Sequence, residues 1–139
     1  MTFDEFVLSV SERLNDLGFV RSGEDLDGPM GSAEIRYSLD RTDVMLHSDR
    51  GIPSMTVGPR GSPSFAYQPW AEILQLDVAP DLDATAQSEF FLGRMREIDA
   101  AIESDPQIET RLRNLNWRFV KEYLGLDPNM PIPGHGSSD

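Results

Sequence analysis

The sequence predicts a single α+β domain in which helices cover one face of an antiparallel sheet. The spacing of apolar residues changes along the chain from about 3.6 to about two and back to about 3.6. A length of 139 residues suits one domain. Apolar residues make up 39% of the chain and charged residues 26%, a balance that allows an ordered core. We therefore place a globular domain at 1–126 and a flexible tail, which has little apolar surface to bury, at 127–139.

The first predicted element is an amphipathic helix that ends at Leu17. Thr2 and Glu5 have the spacing of a capping box at a helix start. Gly18 can adopt the left-handed conformation that closes a helix, and Phe19 can then pack on the last turn. The apolar residues of this helix share one sector about 100° wide, and they are Phe3, Phe6, Val7, Val10, Leu14 and Leu17.

A loop is predicted over 22–31, where glycine, proline and acidic residues concentrate. Apolar and polar residues then alternate over 33–40, which predicts a strand with one buried face. A reversal at Arg41–Thr42 would pair this strand with the next. The predicted partners across this hairpin are Leu39 with Val44, Tyr37 with Leu46 and Arg36 with His47.

A second reversal, at Arg50–Gly51, predicts a third strand and completes an antiparallel meander of three to four strands. The predicted partners are Leu46 with Met55 and Val44 with Val57. A slip of one residue would expose these side chains, so their agreement supports the register. Pro53 predicts that the third strand lies at an edge or begins irregularly, and residues 64–67 offer a short fourth strand.

Helices are predicted for most of the remaining chain. A short helix runs from Pro69 to Leu76, and one longer helix covers 85–104. The Asp105–Pro106 pair separates the longer helix from a last helix that ends at Gly125, so these two form a C-terminal helical hairpin. The last helix carries two apolar stripes: Ile108, Leu112, Leu115, Phe119 and Tyr123 on one side, and Trp117, Val120 and Leu124 on another. Such a helix is either enclosed in the core or covered by a partner.

The sequence offers few residues for catalysis or metal binding. It has no cysteine and two histidines, His47 and His135, whose separation does not suit a metal site. We therefore expect no metal and no cofactor. His47 is expected on the exposed face of the sheet opposite Ser54, but no nucleophile-elbow motif accompanies the pair. No catalytic residue is assigned.

Charge is the strongest functional signal. The chain has 24 acidic and 12 basic residues, which gives a net charge of −12. This excess repels nucleic-acid phosphates and anionic lipids and favours a basic partner. Seven residues are the candidate partner-binding set: Glu5, Glu12 and Asp16 on the polar side of the first helix, Glu24, Asp25 and Asp27 in the predicted loop, and Trp117 on the last helix. The competing interpretation is that the acidity serves solubility alone.

The order of elements resembles the small immunity proteins of bacterial polymorphic-toxin systems. The resemblance spans residues 3–124, and its motifs are Leu17-Gly18-Phe19, the VMLHSDRG segment at 44–51, Trp70 at the head of a helix and the terminal helical pair. Eleven arginines against one lysine, Lys121, are typical of a GC-rich genome such as an actinobacterial one. The resemblance implies an acidic, cytoplasmic, non-enzymatic protein that binds one cognate toxin, as members of such families do, often by covering its active site.

Two alternatives remain open at the level of sequence. A secretion or folding chaperone would bind clients through an exposed apolar helix face, so the exposure of Trp117, Val120 and Leu124 distinguishes it. A small enzyme would have to use carboxylates or His47. The chain begins with acidic residues where a secretory signal needs basic ones, and no apolar run reaches the roughly 18 residues of a membrane span, so we expect a cytoplasmic location.

Overall fold

The computed structural model describes residues 1–133, in which four strands and five α-helices form the framework. The elements are α1 (Phe3–Asp16), β1 (Val20–Asp25), β2 (Ala33–Leu39), β3 (Thr42–Asp49), β4 (Ile52–Pro59), α2 (Tyr67–Leu74), α3 (Ala84–Leu92), α4 (Met95–Ser104) and α5 (Ile108–Leu124), with a short 3-10 helix at Pro29–Gly31. The sheet is antiparallel in the order β1-β2-β3-β4, so it is a meander. The predicted α+β class is confirmed.

α1 begins and ends as the sequence predicts. The Thr2 hydroxyl oxygen accepts a hydrogen bond from the Glu5 N–H at 3.1 Å. At the other end Gly18 has a φ of +97°, and the Phe19 N–H donates to the Leu14 carbonyl at 2.9 Å. This geometry is a Schellman closure, and Phe19 is buried beyond it.

The second hairpin has the predicted register, whereas the first is displaced by two residues. The observed partners are Val44 with Val57 and Leu46 with Met55 in the second hairpin, and Leu39 with Thr42, Tyr37 with Val44 and Ile35 with Leu46 in the first. The displacement arises because the first turn is Asp40–Arg41, with Asp40 at a φ of +50°. A shift of two residues keeps every side chain on its face, so the apolar face is unchanged.

The prediction of a loop over 22–31 is wrong in its first part, because β1 extends to Asp25. β1 pairs with β2 at the edge of the sheet and contains a bulge between Arg21 and Gly23. All β1 residues are exposed, so no apolar alternation marks this strand. Residues 64–67 form no strand, and Phe65 makes a single bridge to Val57 on β4. β4 is the other edge of the four-stranded sheet, as Pro53 predicts.

The helices differ from the prediction in two places. α2 begins at Tyr67 rather than Pro69 and ends at Leu74. The single helix predicted over 85–104 is divided into α3 and α4 at Gly93–Arg94, since Arg94 has a non-helical φ of −129° and ψ of 17°. Glycine is a poor helix former, which favours a break at this point. α5 ends at Gly125 as predicted.

The core lies between one face of the sheet and the helices. The sheet contributes Ile35, Tyr37, Val44, Leu46, Met55 and Val57, and α1 contributes Phe6, Val10 and Leu14. Trp70 of α2 is fully buried, and its indole N–H donates to the Val57 carbonyl at 2.7 Å. Beside this contact, a Cβ added to Gly58 would lie 2.3 Å from the Pro63 carbonyl oxygen, so only glycine lets the following loop close over β4. No helix within residues 1–133 is long and apolar enough to cross a membrane.

Two backbone carbonyls that follow α5 accept hydrogen bonds from its side chains. The Trp117 indole N–H donates to the Met130 carbonyl at 2.8 Å, and the Lys121 ammonium donates to the Pro128 carbonyl. These contacts cover the second apolar stripe of α5 in part. The flexible tail over 127–139 stays a prediction, and His135 lies outside the described residues.

Candidate protein-binding surface

Three of the predicted carboxylates lie on the side of α1 that faces away from the core. At 100° per residue, Glu5, Glu12 and Asp16 fall within a sector of about 40°. They follow one another along the helix axis at intervals of about 10 Å and about 6 Å. Leu8 lies beside them, and 72% of its surface is exposed. These four residues are called the α1 acidic face below.

Nearby cations do not neutralise this face. Arg13 is the one basic residue of α1, and it forms an ion pair with Glu89 of α3. None of the ion pairs found in residues 1–133 involves Glu5, Glu12 or Asp16. The negative potential of the three carboxylates therefore extends into solvent.

Asp16 occupies a position that is unfavourable for helix stability. It is the last residue of α1, where the helix dipole favours a cation. It also follows Glu12 by four residues, and such a like-charge pair destabilises a helix by about 0.2–0.5 kcal/mol. An exposed residue that violates two local rules is a candidate for a role other than folding.

The second predicted acidic group does not form a single patch. Glu24 forms an ion pair with Arg21 of the same strand. Glu24 and Asp25 are consecutive residues of β1, so their side chains point to opposite faces of the sheet. The Asp25 carboxylate accepts the Asp27 N–H at 3.4 Å. The structure thus groups the three α1 carboxylates, whereas those of β1 lie among arginines: Glu24 is paired with Arg21, and both Glu24 and Asp25 line a small pocket with Arg36.

Asp16 also lines a cleft that sequence reasoning missed. The cleft has a volume of about 380 Å³ and lies between the end of α1, the turn that joins β2 to β3, and α4. Its other carboxylates are Asp40, Asp99 and Glu103. Arg41 donates to Asp99 at 2.8 Å and to Glu103 at 3.1 Å, so this side of the cleft is partly neutralised. The spacing of Asp99 and Glu103 places them on one side of α4, but only the fold brings them to Asp16.

His47 lies at the centre of a polar row on the uncovered face of the sheet. Ser54 lies opposite it in β4, as predicted, but its partner in β2 is Glu34 and not Arg36, because the first hairpin is displaced by two residues. The His47 Nε2 lies 2.8 Å from the Thr56 hydroxyl, which lies 2.6 Å from the Ser64 hydroxyl.

The surroundings of His47 favour its neutral form. Desolvation by burial lowers the pKa of His47 from its usual 6.5, and the nearby Glu34 carboxylate, 3.9 Å from Nδ1, opposes this shift only in part. The Nε2 of a neutral imidazole in this position can accept a hydrogen bond from the Thr56 hydroxyl. Because the Thr56 hydroxyl is also hydrogen-bonded to Ser64, this chain of hydrogen bonds attaches the loop after β4 to the sheet.

The lowered pKa of His47 predicts a loss of stability in acid. A histidine whose pKa is lower in the folded state binds a proton more tightly when unfolded. The contribution of His47 to stability is therefore complete above pH 6.5, the pKa of the imidazole in the unfolded chain. It is lost as the pH falls through the lower pKa of the folded state. We expect the free energy of unfolding of the wild type, measured by urea denaturation, to fall over this range relative to that of His47→Gln. Parallel pH profiles for the two proteins would contradict this prediction.

Trp117 is half-buried between α5 and residues 127–133. Its indole N–H already has an acceptor within the chain, the Met130 carbonyl. Of its two neighbours in the same stripe, Val120 is half-buried and Leu124 is 59% exposed. A direct role for Trp117 in binding stays a prediction.

The residues that the structure describes do not suggest metal chemistry. Within 1–133, no group of three or more His, Asp or Glu side chains is arranged so that it could hold a metal ion. Comparisons with protein-family models, with curated proteins and with solved structures found no match for this chain.

Proposed function

We propose that this protein is a non-enzymatic inhibitor that neutralises a toxin with a basic surface, as the immunity proteins it resembles do. The observation that carries the proposal is the α1 acidic face, where Glu5, Glu12 and Asp16 share one side of a helix and form none of the ion pairs found in residues 1–133. Asp16 weakens the helix that holds it, which supports a role in binding over a role in folding.

The mechanism is electrostatic complementarity. A toxin that acts on nucleic acid needs a basic cleft to hold phosphate groups. The carboxylates of the α1 acidic face would occupy the positions of those phosphates and exclude the substrate. Opposite charges also accelerate the encounter of the two proteins, most strongly at low ionic strength. Leu8 gives the face an apolar contact of the kind that stabilises a complex after encounter.

The distribution of arginines supports this role for α1. Several arginines outside α1 are ion-paired to acids of their own chain: Arg21 to Glu24, Arg41 to Asp99, Arg111 to Asp105, Arg113 to Glu109, and Arg118 to Glu72. These pairs reduce the charge of the surfaces on which they lie. The carboxylates of the α1 acidic face form none of the ion pairs found in residues 1–133, so this face keeps its charge for a cationic partner.

The test is co-purification with the product of the neighbouring gene, followed by an assay of that product's toxic activity. We expect a stable complex that inhibits the toxin and that dissociates more readily at high salt. Full toxin activity in the presence of excess protein at low salt would contradict the proposal.

A chaperone is the second candidate, and exposed apolar residues at the end of α5 favour it. Leu124 is 59% exposed and Tyr123 is 89% exposed, so this end of the helix could bind an apolar client segment. A chaperone would bind several unrelated unfolded chains at similar affinity. An inhibitor would bind one folded partner, so a comparison of these two classes of ligand distinguishes the candidates.

A further inference from the structure

A groove lies between α2 and α5, in the part of the chain that the structure describes. It has a volume of about 490 Å³, which lies within the usual range of roughly 300–1,000 Å³ for binding pockets. One wall consists of α2 and the segment 76–80 that follows it, and the other consists of the C-terminal half of α5. The groove is distinct from the α1 acidic face, none of whose residues lines it.

Hydrogen bonds hold the wall at 76–80 in place. The Tyr67 hydroxyl accepts the Leu82 N–H at 2.8 Å and donates to the Ala79 carbonyl at 3.1 Å. The Gln68 amide donates to the Pro80 carbonyl at 3.3 Å. Since Tyr67 is buried, its hydroxyl fixes this irregular segment to α2. A binding site that is already formed avoids the entropy cost of ordering on association.

The opposite wall is an apolar surface that the chain leaves open. α5 has no buried residue after Leu112, although its C-terminal half carries several aromatic side chains. Phe119 and Tyr123 are one turn apart and line the groove, and Tyr123 is 89% exposed. Tyrosine is enriched among the residues that dominate binding energy at protein interfaces.

The charges of the groove select a cationic occupant. Three of its lining residues are acidic, namely Glu72, Asp77 and Glu122, and none is basic. Arg118, just outside the groove, lies 3.4 Å from Glu72 and 4.0 Å from Glu122 and partly neutralises both, but three carboxylates against one guanidinium leave the groove negative. The same guanidinium lies 5.1 Å from the centre of the Phe119 ring. Asp77 is exposed and forms none of the ion pairs found in residues 1–133, which leaves its charge available.

We infer that the groove binds an amphipathic basic helix of the partner protein. A large apolar side chain of that helix inserts between Phe119 and the wall at 76–80, and Tyr123 covers it. A lysine or arginine on the same helix then lies against Asp77. This inference rests on the proposed function, because it takes the partner to be basic, and it adds a second contact to the one made by α1.

The test uses a synthetic amphipathic peptide of leucine and lysine, of about 15 residues so that a helix can form. Amide chemical shifts of the labelled full-length protein would locate the binding site. We expect saturable shifts in α2, the segment 76–80 and the C-terminal half of α5. The double variant Tyr123→Ser/Asp77→Asn should raise the dissociation constant about tenfold. Both residues are exposed, so the variant should fold.

The matched control is Ile52→Ser/Asp49→Asn, which changes the same kinds of exposed residue at the turn between β3 and β4. It should leave peptide binding unchanged, and a peptide with glutamate in place of lysine should not bind. Absence of saturable binding, equal weakening by the two double variants, or shifts centred on α1 would overturn the inference. A toxin that fails to bind while the peptide still occupies the groove would contradict the proposed function alone.

Discussion

Charge reversal of the α1 acidic face, by Glu12→Lys together with Asp16→Lys, is expected to slow association with the toxin by at least about tenfold. The two substitutions replace attraction by repulsion at the surface that meets the basic partner. The loss should be greatest at low ionic strength and should diminish as salt screens the interaction. Stopped-flow mixing of the two proteins over a range of salt concentrations measures both effects.

The variant should remain folded, because the exposed like-charge pair of α1 is exchanged for another. A lysine at position 16 even complements the helix dipole at the end of α1. The control is Asp49→Lys with Glu97→Lys, which changes the net charge equally at exposed positions outside α1 and outside the α2–α5 groove. Equal slowing by both double variants would assign the effect to net charge. If Glu12→Lys with Asp16→Lys does not slow association, the α1 acidic face is excluded as the binding surface.

The parts of the fold that the sequence predicts are those set by local chemistry. The capping residues of α1 and its Gly18 closure depend only on neighbours along the chain. The hairpin of β3 and β4 is equally local, because Arg50 and Gly51 both adopt the positive φ that a two-residue turn needs. The acidic face of α1 is predictable for the same reason, since helical periodicity alone groups its residues.

The sequence prediction is wrong where a local pattern is compatible with two structures. The first hairpin could turn at 40–41 or at 41–42, and the two registers differ by two residues, so both keep the same apolar face. Asp40 decides between them by adopting a φ of +50°, which aspartate tolerates better than most residues. The apolar stripe of Phe91, Met95 and Ile98 continues through Gly93, which conceals the break between α3 and α4.

Other features depend on contacts between distant parts of the chain. β1 is a strand because β2 offers it an edge, and its own sequence of polar and small residues is typical of a loop. The α2–α5 groove likewise needs Tyr67 to fix the segment 76–80 and needs α5 to close the other side. Tyr123 belongs to an apolar stripe of a helix that is either enclosed in the core or covered by a partner, and periodicity alone does not decide between the two; in the structure Tyr123 is 89% exposed.

The largest loss of stability is expected from Trp70→Ala. Trp70 is fully buried, and truncation of such a residue costs about 3–5 kcal/mol through lost burial and the cavity that remains. This is a large part of the roughly 5–15 kcal/mol by which a typical domain is stable. The Val57 carbonyl also loses the indole N–H, although it keeps the bond from the Phe65 N–H at 2.9 Å. Urea denaturation followed by far-UV circular dichroism measures the loss.

Two further variants separate the causes of this loss. Trp70→Phe keeps an aromatic ring in the site but removes the hydrogen bond to Val57, so its free energy of unfolding should lie between those of the wild type and Trp70→Ala. Tyr123→Ala removes an aromatic ring that is 89% exposed, and it should change stability by less than about 0.5 kcal/mol. A loss below about 1 kcal/mol for Trp70→Ala would contradict the prediction, because it would mean that this side chain does not anchor α2 to β4. The position of α2 as a wall of the α2–α5 groove would then depend on other contacts.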